Sequence, residues 1–453
     1  MSYYQLQKPF ILIFIIAWSI LGFSQFAHAQ FEYDISPVLH LQEQYDDNIN
    51  LTRSFKQSDS ISTISPGFSL LLSHPRFKLT CDYLHDFVYF KNYPQNDYKG
   101  DNFNLTTETK VTEYLKFLFT ENYIKSNDPQ FTQLAGPSVQ PGVQQTAIGF
   151  RREYTQNSLS PQLEYQFGAE DLVKLSYKNT RYRQKGEGSD DYTDHFYDSL
   201  LTYWLNDNYG INLQYTQDRG NFQARENNFK SDRIAPRLIY RFSRQAEVFA
   251  DYSYTGTDFN QKTAINPDYF VNDIDAGFKV SPLSTVKLEG KLGYYWKQGH
   301  DNTDTQGFIY RLWGEKQFSS GTVFLNYKGG FNENYFGIRD SGFYEFWEIS
   351  TGATYNYEND LTFRAAGSFA NNDYIQAPIE RLQNISPQKD DVWQSNLSVG
   401  YRITPFLAFE LEYSYLNSNS NRVANSYIDN RITGRLVINF LKDYQKGFNG
   451  RNQ

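Results

Sequence analysis

The chain has 453 residues, of which 18% are aromatic, and a formal net charge of −8. This aromatic content argues against a disordered chain, and a mean hydropathy of −0.64 argues against a bundle of membrane-spanning helices. The single cysteine excludes a disulfide framework. The acidic balance disfavours a nucleic-acid partner, which needs a basic surface.

Residues 1–29 have the pattern of a secretory signal peptide. Lys8 precedes a 14-residue apolar stretch, Phe10 to Phe23, and Ala27-His28-Ala29 matches the small-residue cleavage pattern. We therefore expect cleavage between Ala29 and Gln30. A polar sequence follows the apolar stretch, which is typical of a signal peptide and not of a stop-transfer anchor.

Alternation of apolar and polar residues at period 2 dominates the rest of the chain. One example is the run from Val286 to Tyr294, in which leucines and glycines alternate with charged residues. Successive side chains of a strand point to opposite faces of a sheet. The sequence thus predicts many strands, each with one apolar and one charged face.

Short turns are expected at a spacing close to 38 residues, which is the length of one up-and-down hairpin with its loop. Their centres are near His74, Glu113, Ala169, Asp207, Gln245, Leu283, Ser320, Asn359 and Pro405. Longer connections rich in Asn, Asp, Gly, Pro and Gln alternate with these turns. With one strand before the first turn (Tyr33 to Asp47) and one after the last (Tyr427 to Phe440), the count is 20 strands, with 18 to 22 allowed.

This pattern predicts an all-β fold, a transmembrane antiparallel up-and-down β-barrel over residues 30–440, followed by a short tail at 441–453. Bacterial outer-membrane barrels have an even strand count, short periplasmic turns, longer outer loops and aromatic girdles. A sheet in lipid must close on itself, because no backbone group can be left without a partner. Candidate girdle residues are Tyr294, Tyr295, Trp296, Trp313, Tyr344, Trp347, Trp393 and Tyr401.

A family resemblance lies near the start of the first two strands. The segments Tyr45-Asp46-Asp47-Asn48-Ile49, Ser58-Asp59, Ile61 and Ser65-Pro66-Gly67-Phe68-Ser69-Leu70 resemble the opening of a family of outer-membrane β-barrel porins. Members of that family are often associated with exopolysaccharide production and export gene clusters. The resemblance implies a barrel anchored in the outer membrane that secretes or accommodates polysaccharide, and it implies no catalytic residues.

If the apolar residues face lipid, the charged residues between them face the lumen. These candidate pore-lining residues are Lys174, Lys178, Arg237, Arg241, Lys287, Glu289, Lys291, Arg311, Arg364, Glu410, Glu412, Arg431 and Arg435. They would tune ion selectivity or merely pair across strands. No segment is large enough for a plug domain, and the connection from Asn127 to Thr146 is the best candidate to fold inward.

The search for catalytic or metal-binding patterns yields little. The five histidines after residue 29 have no paired ligand spacing, and no nucleophile elbow or phosphate-binding loop is present. Asp46-Asp47-Asn48 could bind a cation, but Asp and Asn are also favoured where a strand turns into a loop, which is the preferred interpretation. We expect no enzyme, no metal and no cofactor.

The leading functional hypothesis is a pore that supports exopolysaccharide export across the outer membrane. The alternatives are a general diffusion porin for small solutes, and a structural or adhesive barrel with partner-binding outer loops. Expected partners are outer-membrane lipid and the barrel-insertion machinery, with polysaccharide and periplasmic export proteins as further candidates.

Overall fold

The computed structural model describes residues 32–128, 151–186, 191–223, 228–260, 268–299, 304–335, 342–358, 360–375, 386–422 and 425–439. Nearly all of these residues lie in β-strands, with a single 3-10 turn at Pro94–Asn96. Over these ranges, the structure holds no helix of the length and apolar character that a membrane crossing requires.

Twenty strands follow one another along the chain. Their bounds are β1 Glu32–Asp46, β2 Asp59–His74, β3 Phe77–Phe90, β4 Tyr98–Lys110, β5 Leu115–Ser126, β6 Tyr154–Gln166, β7 Leu172–Gln184, β8 Tyr192–Trp204, β9 Tyr209–Phe222, β10 Phe229–Ser243, β11 Ala246–Phe259, β12 Tyr269–Leu283, β13 Val286–Gly299, β14 Thr305–Phe318, β15 Gly321–Asn334, β16 Gly342–Tyr357, β17 Leu361–Tyr374, β18 Lys389–Thr404, β19 Leu407–Ser420 and β20 Tyr427–Asn439.

Each strand pairs antiparallel with its neighbours in sequence, and β1 pairs with β20, so the sheet closes into a barrel. The closing register runs from Val38 opposite Asn439 to Asp46 opposite Arg431. The predicted 20-stranded antiparallel up-and-down barrel is confirmed. Closure leaves the sheet without free edges along this seam, as a barrel in lipid requires.

The two ends of the barrel differ in their connections. Nine connections of two to five residues lie at one end, together with both ends of the barrel sequence; we call this the turn end. All nine predicted turn centres fall within these connections or one residue from them. At the opposite end, the loop end, connections run from five residues (300–304) to 27 residues (127–153).

Prolines inside strands interrupt the ladder on one side only. Pro66 pairs with Leu39 of β1, whereas the β2–β3 pairing skips Ser65 and Pro66 and resumes in the same register. The same gap occurs at Pro161 and Pro236. Proline has no N–H to donate. Because the register does not shift, these prolines interrupt the ladder without forming a bulge.

The inner face of the barrel can be assigned from contacts that cross it. Tyr335, which follows β15, contacts Phe229 of β10 and Phe259 of β11. Side chains from strands this far apart can meet only inside a closed barrel, so Phe229 and Phe259 point inward. The strand register places the charged residues predicted to line the pore on this same inner face and most of the exposed Leu, Ile, Phe and Tyr side chains on the outer face.

The register also sorts the predicted girdle residues. Tyr294, Trp296, Trp347, Trp393 and Tyr401 lie on the outer face. The girdle assignment is wrong for Tyr295, Trp313 and Tyr344, which lie on the opposite register, and Tyr295 and Tyr344 are each only 1% exposed. Successive residues of a strand point to opposite faces of the sheet. An error of one residue in the predicted position therefore assigns a side chain to the wrong face.

Candidate functional site

The thirteen residues predicted to line the pore all occupy the inner register of their strands. Lys174 and Lys178 lie on β7, Arg237 and Arg241 on β10, and the remaining nine on β13, β14, β17, β19 and β20. They do not all present free charge to the lumen. Arg431 is 7% exposed, and its guanidinium is surrounded by carboxylates.

Ion pairs connect neighbouring strands along the inner wall from β10 to β16. Arg237 forms a two-pronged contact with Asp251, with N–O distances of 2.6 and 2.7 Å, and Lys291 lies 2.8 Å from Asp275. Further pairs are Arg311 with Glu289, Lys287 with Glu315, and Lys328 with Glu348. On the wall near the seam, Glu410 accepts from both Arg364 and Arg435. Opposite charges therefore largely offset each other on this side.

The inner wall formed by β4, β5 and β6 has a different chemistry. Its middle portion carries no charge on the inner register. Apart from Ile124 and Leu118, the side chains there are amides and hydroxyls, namely Asn102, Asn104, Thr106, Thr120, Asn122, Gln156, Ser158, Ser160 and Gln162. Glu108, Lys116 and Glu164 appear only toward the turn end. The lumen is thus bounded by a paired-charge wall on one side and an uncharged polar wall on another.

The first long connection, residues 47–58, folds over the inner wall at the loop end. Ile49 is fully buried against Ile61, Val88 and Phe90, and Leu51 packs on inward side chains of the strands before the seam. Leu51 adopts a positive φ of 51°. Arg151 donates to the Ile49 carbonyl oxygen at 2.9 Å. The residues that carry the family resemblance therefore anchor a loop inside the barrel.

A buried charge cluster lies beside this loop at the seam. The Arg431 guanidinium is 3.1 Å from Asp46, 2.9 Å from Asp429 and 3.5 Å from Asp128. Asp47 accepts from the backbone and side-chain nitrogens of Asn430, both at 2.7 Å.

Oxygens of Asp46, Asp47 and Asp429 lie within 4.8 Å of one another, as a cation site would require. However, Arg431 already supplies the positive charge for Asp46 and Asp429, and Asp47 is engaged by Asn430. The arrangement supports the interpretation of Asp46-Asp47-Asn48 as a strand end held in a polar loop.

The tip of the β15–β16 hairpin separates from β14, while β16 stays paired with β17. Pairing between β14 and β15 stops at Tyr310 opposite Gly329, whereas β15 and β16 continue to pair as far as Asn334 opposite Gly342. The next residue, Gly330, has a φ of +152°, which L side chains rarely adopt. The hairpin therefore bends away from β14 at this glycine.

Aromatic packing holds the bent tip inside the barrel. The Tyr335 ring centroid is 4.8 Å from Phe229 and 5.3 Å from Phe259, and its hydroxyl is hydrogen-bonded to that of Tyr269. On the other side of the tip, Phe331 stacks on Phe343 at 5.3 Å.

Polar contacts add to this attachment. The Tyr295 hydroxyl donates to Glu345, and the Thr305 hydroxyl donates to the same carboxylate oxygen at 3.1 Å. The Lys297 ammonium, 4% exposed, lies 4.6 Å above the Tyr269 ring and 5.3 Å above Phe343. The tip and the first loop together narrow the lumen at its loop end.

A row of aromatic rings lines the inner wall at the same height. Consecutive centroids are 5.3 to 6.3 Å apart along six neighbouring strands, in the order Tyr154, Tyr182, Tyr192, Phe222, Phe229 and Phe259. Such distances suit tilted and stacked ring pairs. The row supplies the apolar surface on which the tip of the β15–β16 hairpin rests.

An ion pair at the turn end connects the β6–β7 turn to β10. Arg241 of β10 donates to both carboxylate oxygens of Glu170, at 3.0 and 2.8 Å, and its guanidinium lies 3.7 Å from the Trp204 ring. The hydrogen bond from Arg241 lowers the pKa of Glu170. The stabilisation from this pair is therefore present above the unfolded-state pKa of Glu170 and is lost as the pH falls through its lowered folded-state pKa.

Sequence reasoning missed the constriction formed by the β15–β16 tip. Gly329-Gly330 within a strand pattern is the one signal that could have indicated it, since a glycine there suggests a kink or close approach. The connection proposed to fold inward, Asn127 to Thr146, lies almost wholly outside the described residues, as do the cleavage site at Ala29 and Gln30, Phe440 and the tail 441–453. Those expectations stay predictions.

Comparison with known protein families and with well-characterised sequences finds no match. Among solved structures, the chain is similar to the siderophore receptor PirA from Pseudomonas aeruginosa, at 7% identity, 90% coverage of this chain, 80% of that one and a TM-score of 0.49. It is similar to OccAB4 from Acinetobacter baumannii at 11% identity, with 91% and 99% coverage and a TM-score of 0.43. It is also similar to OprD from Pseudomonas aeruginosa at 11% identity, with coverage of 92% of this chain and 98% of that one and a TM-score of 0.39.

Proposed function

We propose that the chain is an outer-membrane channel through which small hydrophilic solutes diffuse. The observation that carries this proposal is a closed 20-stranded barrel with an apolar outer face and a polar inner wall. Barrels of 16 to 18 strands already enclose an aqueous channel. A soluble barrel would not present its apolar side chains outward around the whole circumference.

The size of the solute follows from the loop end. The first loop, anchored by Ile49 and Leu51, and the tip of the β15–β16 hairpin, anchored by Tyr335, both occupy space inside the barrel. A lumen narrowed from two sides favours small solutes over a bulky polymer. General diffusion therefore takes precedence over exopolysaccharide export.

The paired charges bear on the nature of the solute. Because each cation on β10 to β16 named above has a neighbouring carboxylate, the wall presents little net field to the lumen. The opposite wall offers amides and hydroxyls, which exchange hydrogen bonds with uncharged polar molecules. Small neutral hydrophilic solutes are the class that fits this lining.

Liposome swelling with the refolded mature barrel tests the proposal. Isosmotic mono-, di- and trisaccharides are added, and swelling rates are compared with those of protein-free liposomes. We expect fast entry of monosaccharides and a steep decline with increasing solute size. Absence of swelling for every sugar, with the barrel shown to be folded by heat-modifiable migration, would contradict a diffusion channel.

Exopolysaccharide passage is the second candidate, supported by the resemblance of residues 45–70 to porins associated with such gene clusters. Single-channel recording with a long glycan on one side distinguishes the two. Reversible block by the polymer, together with loss of surface polysaccharide in a deletion strain, would favour export. Unchanged export in that strain would remove this candidate.

The remaining expectations form part of the same proposal. Export through the inner membrane would use residues 1–29, with cleavage between Ala29 and Gln30, and the barrel would be inserted by the outer-membrane assembly machinery. A structural or adhesive role would show itself in loop deletions that abolish attachment without changing permeability. No catalytic step is part of the proposal.

A further inference from the structure

A group of basic side chains lies on the outer face of the barrel close to the loop end. Arg181 and Arg183 of β7 share the outer register with Leu175 and Tyr177, and Arg219 of β9 pairs with Lys230 of β10. We call these four residues the basic rim. Arg219 is also directly opposite His195 of β8.

Two of the four charges in the basic rim are offset by carboxylates. Arg183 lies 3.7 Å from Asp191, and Lys230 pairs with Asp232. Arg181 and Arg219 are exposed, and within the described ranges neither guanidinium has a carboxylate at ion-pair distance. Arg219 lies on β9, directly opposite His195, and Arg181 lies on β7, on the other side of β8, so the two arginines flank the strand that carries His195. Counting only the residues that the structure describes, the basic rim thus keeps two uncompensated positive charges.

The height of these arginines relative to the membrane follows from the tyrosines next to them. Tyr177 and Tyr197 lie on the outer face, one outward position from Arg219 and two from Arg181 in the direction of the turn end. Their ring centroids are 4.9 Å apart, and the Tyr177 hydroxyl is 2.8 Å from His195 Nδ1. Outward tyrosines mark the boundary between hydrocarbon and headgroups. Arg181 and Arg219 therefore lie at headgroup level on the outer side.

Other charged side chains on the outer face near the loop end lie beside a charge of opposite sign. Asp101 of β4 is directly opposite Lys125 of β5, and Lys389 of β18 pairs with Asp373 of β17. Outward positions on β12, β13, β19 and β20 at this end include uncharged side chains, namely Asn272, Gln298, Asn417 and Asn430. The chain as a whole carries a net charge of −8. A local excess of positive charge on an acidic protein needs an anionic counterpart.

We propose that Arg181 and Arg219 bind the phosphate of an anionic lipid in the outer leaflet. A guanidinium matches phosphate oxygens with two parallel hydrogen bonds, and clusters of basic residues at the membrane surface bind anionic headgroups. The inference rests on the outer-membrane location given under the proposed function, but not on the solute that the lumen passes.

The test is equilibrium binding of diphosphorylated lipid A to the detergent-solubilised mature barrel, followed by native mass spectrometry. The variant is Arg181→Gln with Arg219→Gln. Each basic residue at an anionic surface contributes about five-fold to affinity, so we expect binding about thirty-fold weaker in the double variant. Lipid A stripped of its phosphates should bind the native barrel as weakly as phosphorylated lipid A binds the variant.

The matched control is Lys279→Gln with Lys287→Gln, which removes two charges from the inner face and should leave lipid binding unchanged. Equal binding by the native barrel and the rim variant would overturn the proposal, as would equal binding of phosphorylated and dephosphorylated lipid. Displacement of the lipid by millimolar inorganic phosphate would assign the site to a free anion instead. Sugar permeation of the rim variant should stay at the native rate, so failure of the channel proposal and failure of this one are distinguishable.

Discussion

At the residue scale, one arginine connects three separate parts of the chain. Arg431 of β20 contacts Asp46 at the end of β1, Asp429 on its own strand and Asp128 at the start of the longest connection. Asp46 and Asp429 are almost completely buried. A buried charge network contributes little when complete, but removal of one partner leaves the others uncompensated.

We expect Arg431→Met to destabilise the barrel by about 3–5 kcal/mol, because the carboxylates of Asp46 and Asp429 would lose their cation. Urea titration followed by heat-modifiable migration measures the change. Arg402→Met is the matched control: Arg402 pairs at 3.2 Å with Asp360, whose side chain is 57% exposed, and such surface pairs contribute up to about 1 kcal/mol. Equal urea midpoints for the two variants would show that the charge cluster at the seam contributes no more to stability than a surface ion pair.

Among the strands, the β15–β16 hairpin has different neighbours at its two ends. Its turn-end half is part of the wall and pairs with β14 from Phe318 opposite Gly321 to Tyr310 opposite Gly329. Its loop-end half has separated from β14 at Gly330 and packs on the rings of β10, β11 and β12, while β16 stays paired with β17 as far as Tyr344 opposite Tyr374. On the side that faced β14, ring contacts replace the hydrogen-bond ladder, so the hairpin is easier to displace on that side.

Tyr335→Ala should widen the loop end of the lumen. The substitution removes the ring that packs on Phe229 and Phe259 and the hydroxyl bonded to Tyr269, so the tip loses its contacts with β10 and β11 and this hydrogen bond to β12. We expect a larger single-channel conductance and faster trisaccharide entry than in the native barrel. Tyr327→Ala, which removes an outward tyrosine from the same strand, controls for loss of a ring; similar conductance in both variants would argue against a constriction at the tip.

The strands were predictable from sequence and the bent tip was not, for a physical reason. Period-2 patterning and turn residues act over a few neighbours, so the strand bounds and the tight turns near Gln245 and Ser320 follow from local sequence. The contact of Tyr335 with Tyr269 joins residues 66 positions apart, and that of Asn48 with the Ile428 carbonyl joins residues 380 apart. Neither Phe343 nor Tyr335 differs in local pattern from an ordinary strand residue.

At the scale of the whole molecule, the lumen combines many charges with little net field. The cations of the β10–β16 wall face carboxylates on neighbouring strands, and β4 to β6 present a neutral strip. Charge rings of one sign make a pore selective for ions of the other sign. Alternating pairs give no such preference, so the native channel should pass K⁺ and Cl⁻ almost equally.

Reversal potentials in an asymmetric KCl gradient measure this property. The native channel should reverse close to zero. Asp275→Asn removes the carboxylate that lies 2.8 Å from Lys291 and should shift the channel toward anion preference. Asp101→Asn, which removes a carboxylate bonded to Tyr83 on the outer face, should leave the reversal potential unchanged. An equal shift in both variants would mean that Lys291 does not face the conducting path.

The departure of β15 from β14 also fixes how deep the barrel can sit in its bilayer. Beyond Tyr310, the loop-end part of β14 pairs with β13 alone, so one side of its backbone has no strand partner there. Unpaired backbone groups cost several kcal/mol each in hydrocarbon. Hydrocarbon must therefore end at or below the pair Tyr310–Gly329, where Tyr310 and Tyr327 pack at 5.1 Å on the outer face. The point at which β15 separates from β14 therefore sets the upper limit of the hydrocarbon region on this side of the barrel. Lipid headgroups and water surround the unpaired part of β14 beyond it.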